Sequence, residues 1–233
     1  YSNTTGKQNV ALGVGALTAN TTADSNTAVG YLALTANTTG GANVAVGTIA
    51  LDANTTGFSQ TGVGFGALTA NTTGYDNAAF GVNALGANIS GLSNTAVGNY
   101  SLDANTTASN NTAVGYASLG ANTTGTGNTA VGKLAGLSTT SGNFNTFLGL
   151  DAGEFATTAD GSVFVGWQAG QGITGTKLTG NNNTAVGKDA GLLLQGAAAQ
   201  NVLIGTQAGD ALTTGAENIL IGMRAGSHNI SLQ

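Results

Sequence analysis

Ten glycines stand 17 residues apart: Gly13, Gly30, Gly47, Gly64, Gly81, Gly98, Gly115, Gly132, Gly149 and Gly166. The spacing then loosens, with Gly187 following after 21 residues, Gly205 after 18 and Gly222 after 17. So short and constant a period leaves few folds open. A 17-residue unit cannot bury a core of its own, so consecutive units must stack with equivalent residues one above another. A helix does not fit, because a glycine-rich turn in every unit would break it before its third turn. The expected fold is an all-β, parallel β-solenoid of about thirteen 17-residue coils. Each coil is expected to hold two short strands joined by turns, with neighbouring coils about 4.8 Å apart.

One unit, Asn26 to Ala42, reads N-T-A-V-G-Y-L-A-L-T-A-N-T-T-G-G-A. The residue before the anchor glycine is always aliphatic or aromatic, as in Leu12, Val29, Val63, Phe80, Leu148 and Ile221; the one before that is usually Ala. Successive strand residues point to opposite faces. The large column is therefore expected to fill the coil interior, with Ala and Gly lining a closely approached surface. Ala and Leu follow three and four residues after the anchor, as in Ala33-Leu34 and Ala67-Leu68. Asparagine forms two columns. One stands four before the anchor, running from Asn9 through Asn26 and Asn43 to Asn218, with Gln60 and Ser162 substituting. The other is Asn3, Asn20, Asn37, Asn54, Asn71, Asn88, Asn105 and Asn122. Asn suits coil corners, since it tolerates a left-handed backbone and its amide can pair with backbone or with the next coil.

Composition narrows the function. Charged residues are 6% and the net charge is −5 with no basic run, which removes the footprint of a nucleic-acid binder. No apolar stretch reaches the length of a membrane span. The chain has no Pro, in keeping with a backbone laddered on both sides, and no Cys, which excludes disulfides and thiolate metal sites. The chain opens in mid-motif at Tyr1, as a mature or excised portion of something longer would. Each unit buries only about one Val and one Leu, roughly 1.5–3 kcal/mol apiece, against a backbone ordering cost of about 1–2 kcal/mol per residue. Burial against identical chains is expected to offset the difference, giving a homo-oligomer.

The chain changes character near residue 131. Up to there (1–131) the units are of the A-L/N-T-T-G type. From 132 to 233 the leucine becomes Gly136, Gly153, Gly170, Gly191, Gly209 and Gly226, and the second Asn column stops. An insertion of four residues within 172–182 is expected to form a loop.

The units N-T-A-V-G-x-x-A-L-x-A-N-T-T-G and N-I-L-I-G-M-R-A-G resemble the YadA-like head repeats of trimeric autotransporter adhesins, and equally the repeats of bacteriophage tail fibres. The resemblance implies a left-handed parallel β-roll, a homotrimer, and an extracellular place on a cell surface or virion. The repeat here is longer than in familiar adhesin heads.

No catalytic, cofactor or metal motif stands out. His228 is the only histidine and reads as an exposed turn residue. Asp151 and Glu154 are close in sequence, but a convex rod offers no cleft for a carboxylate pair. Asn3, Asn20, Asn37, Asn54, Asn71, Asn88, Asn105 and Asn122 each satisfy N-x-[ST], as do Asn110, Asn182 and Asn229. They are candidate N-glycan acceptors if they face solvent, and a bare structural ladder otherwise. Tyr31, Phe65, Tyr116 and Trp167 all follow the anchor directly, so they share an edge, either packing at a chain–chain seam or forming a carbohydrate-contact strip. The expected function is a non-catalytic shaft or head segment of an adhesive fibre that presents a receptor-binding tip carried elsewhere. The host receptor, a carbohydrate among the candidates, is met through other regions, with no nucleic acid and no membrane contact. Alternatives are a self-assembling extracellular filament and, through Thr-Thr pairs such as Thr21-Thr22, an ice-binding solenoid. Adjacent strand threonines point opposite ways, so a double-Thr face does not follow.

Overall fold

A computed structural model describes residues 2–227. His228 and the Asn229 sequon lie outside them. The described residues form thirteen parallel β-strands of three residues each and no helix. Two compact units divide the chain, Tyr1–Asn111 and Thr112–Gln233.

The first unit is a parallel β-solenoid whose strands are β1 (Val10–Leu12), β2 (Thr27–Val29), β3 (Val44–Val46), β4 (Thr61–Val63), β5 (Ala78–Phe80) and β6 (Thr95–Val97). Each pairs with the next in strict register, for example Thr27 with Val44 and Ala28 with Ala45. The second unit is built alike from β7 (Thr112–Val114), β8 (Thr129–Val131), β9 (Thr146–Leu148), β10 (Val163–Val165), β11 (Thr184–Val186), β12 (Val202–Ile204) and β13 (Ile219–Ile221). The register is kept across the irregular spacings: Phe164 stands beside Ala185 and Ala185 beside Leu203. The inserted residues leave the coil at Thr174–Lys177, which are exposed, and the chain rejoins the stack at the buried Leu178.

Each coil therefore has one strand where two were expected. The other side still bonds coil to coil, as in Leu34 N–H to Ala50 O at 3.0 Å and Thr38 N–H to Thr55 O at 2.9 Å. Its backbone is not extended, because the residues two and four after the anchor are left-handed: Leu32 and Leu34 at φ 55° and 54°, Ile49 and Leu51 at 51° and 53°.

The expected inside and outside of the strand are reversed. Ala28, Ala45, Ala79, Ala96, Ala113 and Ala130, two before the anchor, are the residues buried completely. The large residue beside the anchor points outward; Leu12 is 67% and Leu148 45% exposed. A 17-residue coil encloses little room, and Leu34, Leu51, Leu68, Leu85, Leu102 and Leu119 already fill it from the opposite side. When that leucine becomes glycine, the space is refilled from the strand. Phe147, Phe164 and Leu203 replace the alanine and are fully buried. A Cβ on Gly153 would lie 2.5 Å from the Phe147 ring, and one on Gly209 2.9 Å from Leu203. Phe147 also reaches back over Gly136, 2.5 Å from a Cβ there. Within the second unit, leucine-bearing and glycine-bearing coils thus fill the same kind of interior volume from opposite walls.

The anchor must be glycine for two reasons. Gly64 has φ +136°, a conformation L-residues rarely adopt, and a Cβ on it would overlap the carbonyl of Gly81 in the next coil. The same approach recurs at Gly30 against Gly47 and at Gly132 against Gly149.

Candidate interaction surface

Because the strand's middle residue points inward, the residues three before, one before and one after the anchor all point out. In the first unit this face carries Val10, Leu12, Val14, Tyr31, Phe65, Phe80 and Val97 among the exposed large apolar side chains. In the second it carries Tyr116, Leu148, Leu150, Val163, Trp167, Ile204, Ile219, Ile221 and Met223. Among the described residues only Phe58, Ile89, Tyr100 and Phe144 are exposed large apolars elsewhere. Tyr31, Phe65, Tyr116 and Trp167, the aromatics that share an edge in the sequence, are each about half exposed here, at 48–53%. The charges on the face are cations. Lys188 Nζ lies 4.6 Å over the Trp167 ring and 3.5 Å from Asp189 Oδ2. Lys133 occupies the same column.

The asparagines point the other way. Asn20, Asn37, Asn54, Asn71, Asn88, Asn105 and Asn122 are all 0% exposed. Each Nδ2 is committed inside the coil: that of Asn54 donates to Asn37 Oδ1 and to Gly57 O, both at 2.9 Å. That of Asn122 donates to Gly125 O at 3.0 Å. A glycan on any of these nitrogens in the folded coil would break such bonds and find no way out. The solvent-facing condition for glycosylation is thus unmet at these seven positions, while Asn3, Asn110 and Asn182 are exposed. The column four before the anchor is buried as well and ties coils together: Asn43 N–H donates to Asn26 Oδ1 at 3.0 Å, and Asn43 Nδ2 to Gly57 O at 2.9 Å. Buried amides with filled valences are stabilising where unfilled ones would be costly.

The Thr-Thr pairs split. Thr38 is half-buried and its hydroxyl donates to Thr55 O at 3.0 Å, while Thr39 is exposed. The solvent therefore meets single files of threonine at these pairs.

Carboxylates are scattered through the stack. Glu154 Oε2 accepts from Gln171 Nε2 at 2.7 Å, and Asp52 Oδ1 from the Thr69 hydroxyl at 2.6 Å. Burial pushes the carboxyl of Asp103 above its ordinary value, opposed by the backbone N–H groups of Ala104 and of Asp103 itself. An open hollow of about 240 Å³ is lined by Gln207, Asp210, Arg224 and Ser227. Arg224 Nε there donates to Gln207 Oε1 at 3.0 Å. No group of three or more metal-ligating side chains occurs among the described residues, and no described helix is long and apolar enough to cross a membrane.

Sequence reasoning placed the aromatic column on one edge but missed that the aliphatic column beside the anchor joins it. It also passed over Phe58 and Tyr75, a 17-residue pair lying six before consecutive anchors. No family model, no curated protein and no solved structure matches the chain.

Proposed function

We propose that the chain is a structural, non-catalytic segment of an extracellular fibre. In this reading three copies associate side by side through the outward strand face and hold a receptor-binding tip at a distance. The supporting observation is the gathering of most exposed large apolar side chains into three adjacent columns in each unit. Contiguous exposed apolar surface of this kind marks an interaction site. The partner best suited to it is another copy of the chain. Every copy carries the same rungs at the same spacing, so copies lying parallel match coil for coil, and a face whose charges are confined to Lys133 and Lys188 presents little like-charge conflict. Three copies, and a place on a cell surface or virion, follow from the resemblance to adhesin head and tail-fibre repeats.

Sedimentation equilibrium tests this. The expected mass is three times the 22.5 kDa chain. The outward substitutions Phe65→Asp and Val97→Asp should leave far-UV circular dichroism unchanged and release monomer. A wild-type chain that stays monomeric at 100 μM would refute self-association. Mass growing without limit as concentration rises would instead favour the end-to-end filament.

A further inference from the structure

The N-x-[ST] sequons of the chain are not equivalent once it is folded. Glycan transfer needs an asparagine Nδ2 at the surface and, two residues on, a hydroxyl that the transferase can also reach. Eleven sequons lie within the described residues. Seven fail at the asparagine, since Asn20, Asn37, Asn54, Asn71, Asn88, Asn105 and Asn122 are enclosed in the coil. Asn3 is exposed, but its Nδ2 donates to Gly6 O at 2.9 Å and its Oδ1 accepts from Asn20 Nδ2 at 3.0 Å. Asn99, in Asn99-Tyr100-Ser101, fails at the hydroxyl. Ser101 is fully buried and its Oγ donates to Gly98 O at 2.8 Å, while Asn99 Oδ1 accepts from Val82 N–H at 3.0 Å.

Asn110 and Asn182 remain. Both stand five residues before an anchor, Gly115 and Gly187, and both are exposed. Their backbones are left-handed, at φ 62° and 59°, a conformation asparagine adopts more readily than most residues. Each backbone is tied into the stack, Asn110 N–H donating to Leu92 O at 3.0 Å and Asn182 N–H to Asp160 O at 2.8 Å. Neither side chain makes a hydrogen bond to another described residue. Their hydroxyl partners, Thr112 and Thr184, are half-buried members of the strand column that points outward. Asn182 also follows the exposed residues Thr174–Lys177, with Thr179 and Asn181 exposed beside it. Each of the two sites thus offers an uncommitted amide on a corner fixed by its backbone.

We propose that Asn110 and Asn182 are N-glycan acceptor sites, modified after the coils have closed. Transfer is a substitution at C1 of a nucleotide-activated sugar, catalysed by a glycosyltransferase of the producing cell. The bond from Nδ2 to C1 forms as the bond from C1 to the phosphate oxygen breaks. The nucleoside diphosphate leaves with that electron pair, and Nδ2 gives up one proton to a base on the transferase. Transfer before folding would reach the seven enclosed asparagines equally, and a sugar on those nitrogens would keep the coil from closing. Folding must therefore come first.

Both sites lie off the three columns of the apolar face, so the proposal goes beyond the fibre assignment and does not rest on it. The test treats the folded full chain with UDP-glucose and a soluble N-x-[ST] glucosyltransferase, read by intact mass and peptide mapping. It is run on the wild type and on the Phe65→Asp, Val97→Asp chain, in which no seam can hide Thr184. One glucose is expected at Asn110 and one at Asn182. Uptake at the other nine sequons should be at least about tenfold lower, because hydrogen bonds of the closed coil would have to break. Thr184→Ala should abolish uptake at Asn182 and Thr184→Ser should retain it, both with unchanged circular dichroism. Passed unfolded through a secretory lumen that glycosylates N-x-[ST], the chain should take sugar at the enclosed asparagines and fail to gain β-sheet circular dichroism. Absence of glucose from Asn110 or from Asn182 in both chains, equal uptake at the enclosed sequons of the folded chain, or a chain sugared at those positions that still folds, overturns the proposal. A wild-type chain that takes both sugars yet stays monomeric refutes the fibre assignment alone.

Discussion

Replacing the anchor Gly64 with alanine probes the closest contact in the stack. Gly66, two residues on, serves as its control. Gly66 has φ +64°, and a Cβ on it meets only the flexible side chain of Asn83. Gly66→Ala should therefore cost little beyond the left-handed backbone, about 1–2 kcal/mol. Gly64→Ala adds a second burden. Its φ of +136° is strained for any L-residue, and its Cβ lies 2.6 Å from the carbonyl carbon of Gly81, whose backbone cannot turn aside. Strain of about 1–3 kcal/mol and overpacking of about 1–3 kcal/mol give a loss of roughly 2–6 kcal/mol. For a chain of this size that lowers Tm by roughly 4–24 °C. Because repeats feel chiefly their neighbours, the damage should be local. Hydrogen exchange should quicken first at Gly81 N–H, which donates to Val63 O at 2.8 Å. Thermal circular dichroism and exchange mass spectrometry read the two effects. If Gly64→Ala is no less stable than Gly66→Ala, close coil approach is not what selects glycine at the anchor.

The exchange of interior volume between opposite walls predicts coupling. Phe147→Ala alone should cost about 3–5 kcal/mol, and Gly153→Leu alone should clash with the Phe147 ring. The double variant should recover part of the loss in urea unfolding, and purely additive losses would show that the two residues do not share a cavity. At Asp103 burial raises the carboxyl's pKa, so the folded chain takes up the proton before the unfolded one and the ionised form opposes folding. The penalty is present above the folded pKa and fades as pH falls toward the unfolded value. Asp103→Asn should therefore raise Tm at pH 7, with the advantage shrinking near pH 3.5; a gap independent of pH would refute this.

Most of the architecture was legible from spacing. Fixed intervals between glycines require stacked equivalents, and the strand register follows them without slippage even past the insertion. The direction in which each strand residue points was not legible from alternation, because alternation says that neighbours face oppositely without saying which of them faces in. Size favoured Val over Ala as filler, and size misled because the Leu column had already taken the space. The deciding signal lay further along the chain. Where Leu four after the anchor gives way to Gly153, Gly170 and Gly209, the small residue two before it grows to Phe147, Phe164 and Leu203. Positions that exchange bulk must face one another. The missing second strand had no such signal, since Leu34 at φ 54° is spelled like any leucine. The stack of Phe58 on Tyr75 was half legible, in that the two are visibly one period apart.

The reach of the Phe147 ring over Gly136, a residue of the preceding coil, bears on how such a chain can change its length. Within the leucine-bearing segment any coil sits between neighbours of its own kind, so a gene that gains or loses 51 nucleotides there, about one coil's worth of codons, meets the same surroundings on both sides. A splice that set a leucine-bearing coil directly against the phenylalanine of a glycine-bearing one would crowd the interior, and the opposite junction would leave a hole. Length is thus free to drift inside the leucine-bearing segment, while the junction between the two kinds is held in place by packing.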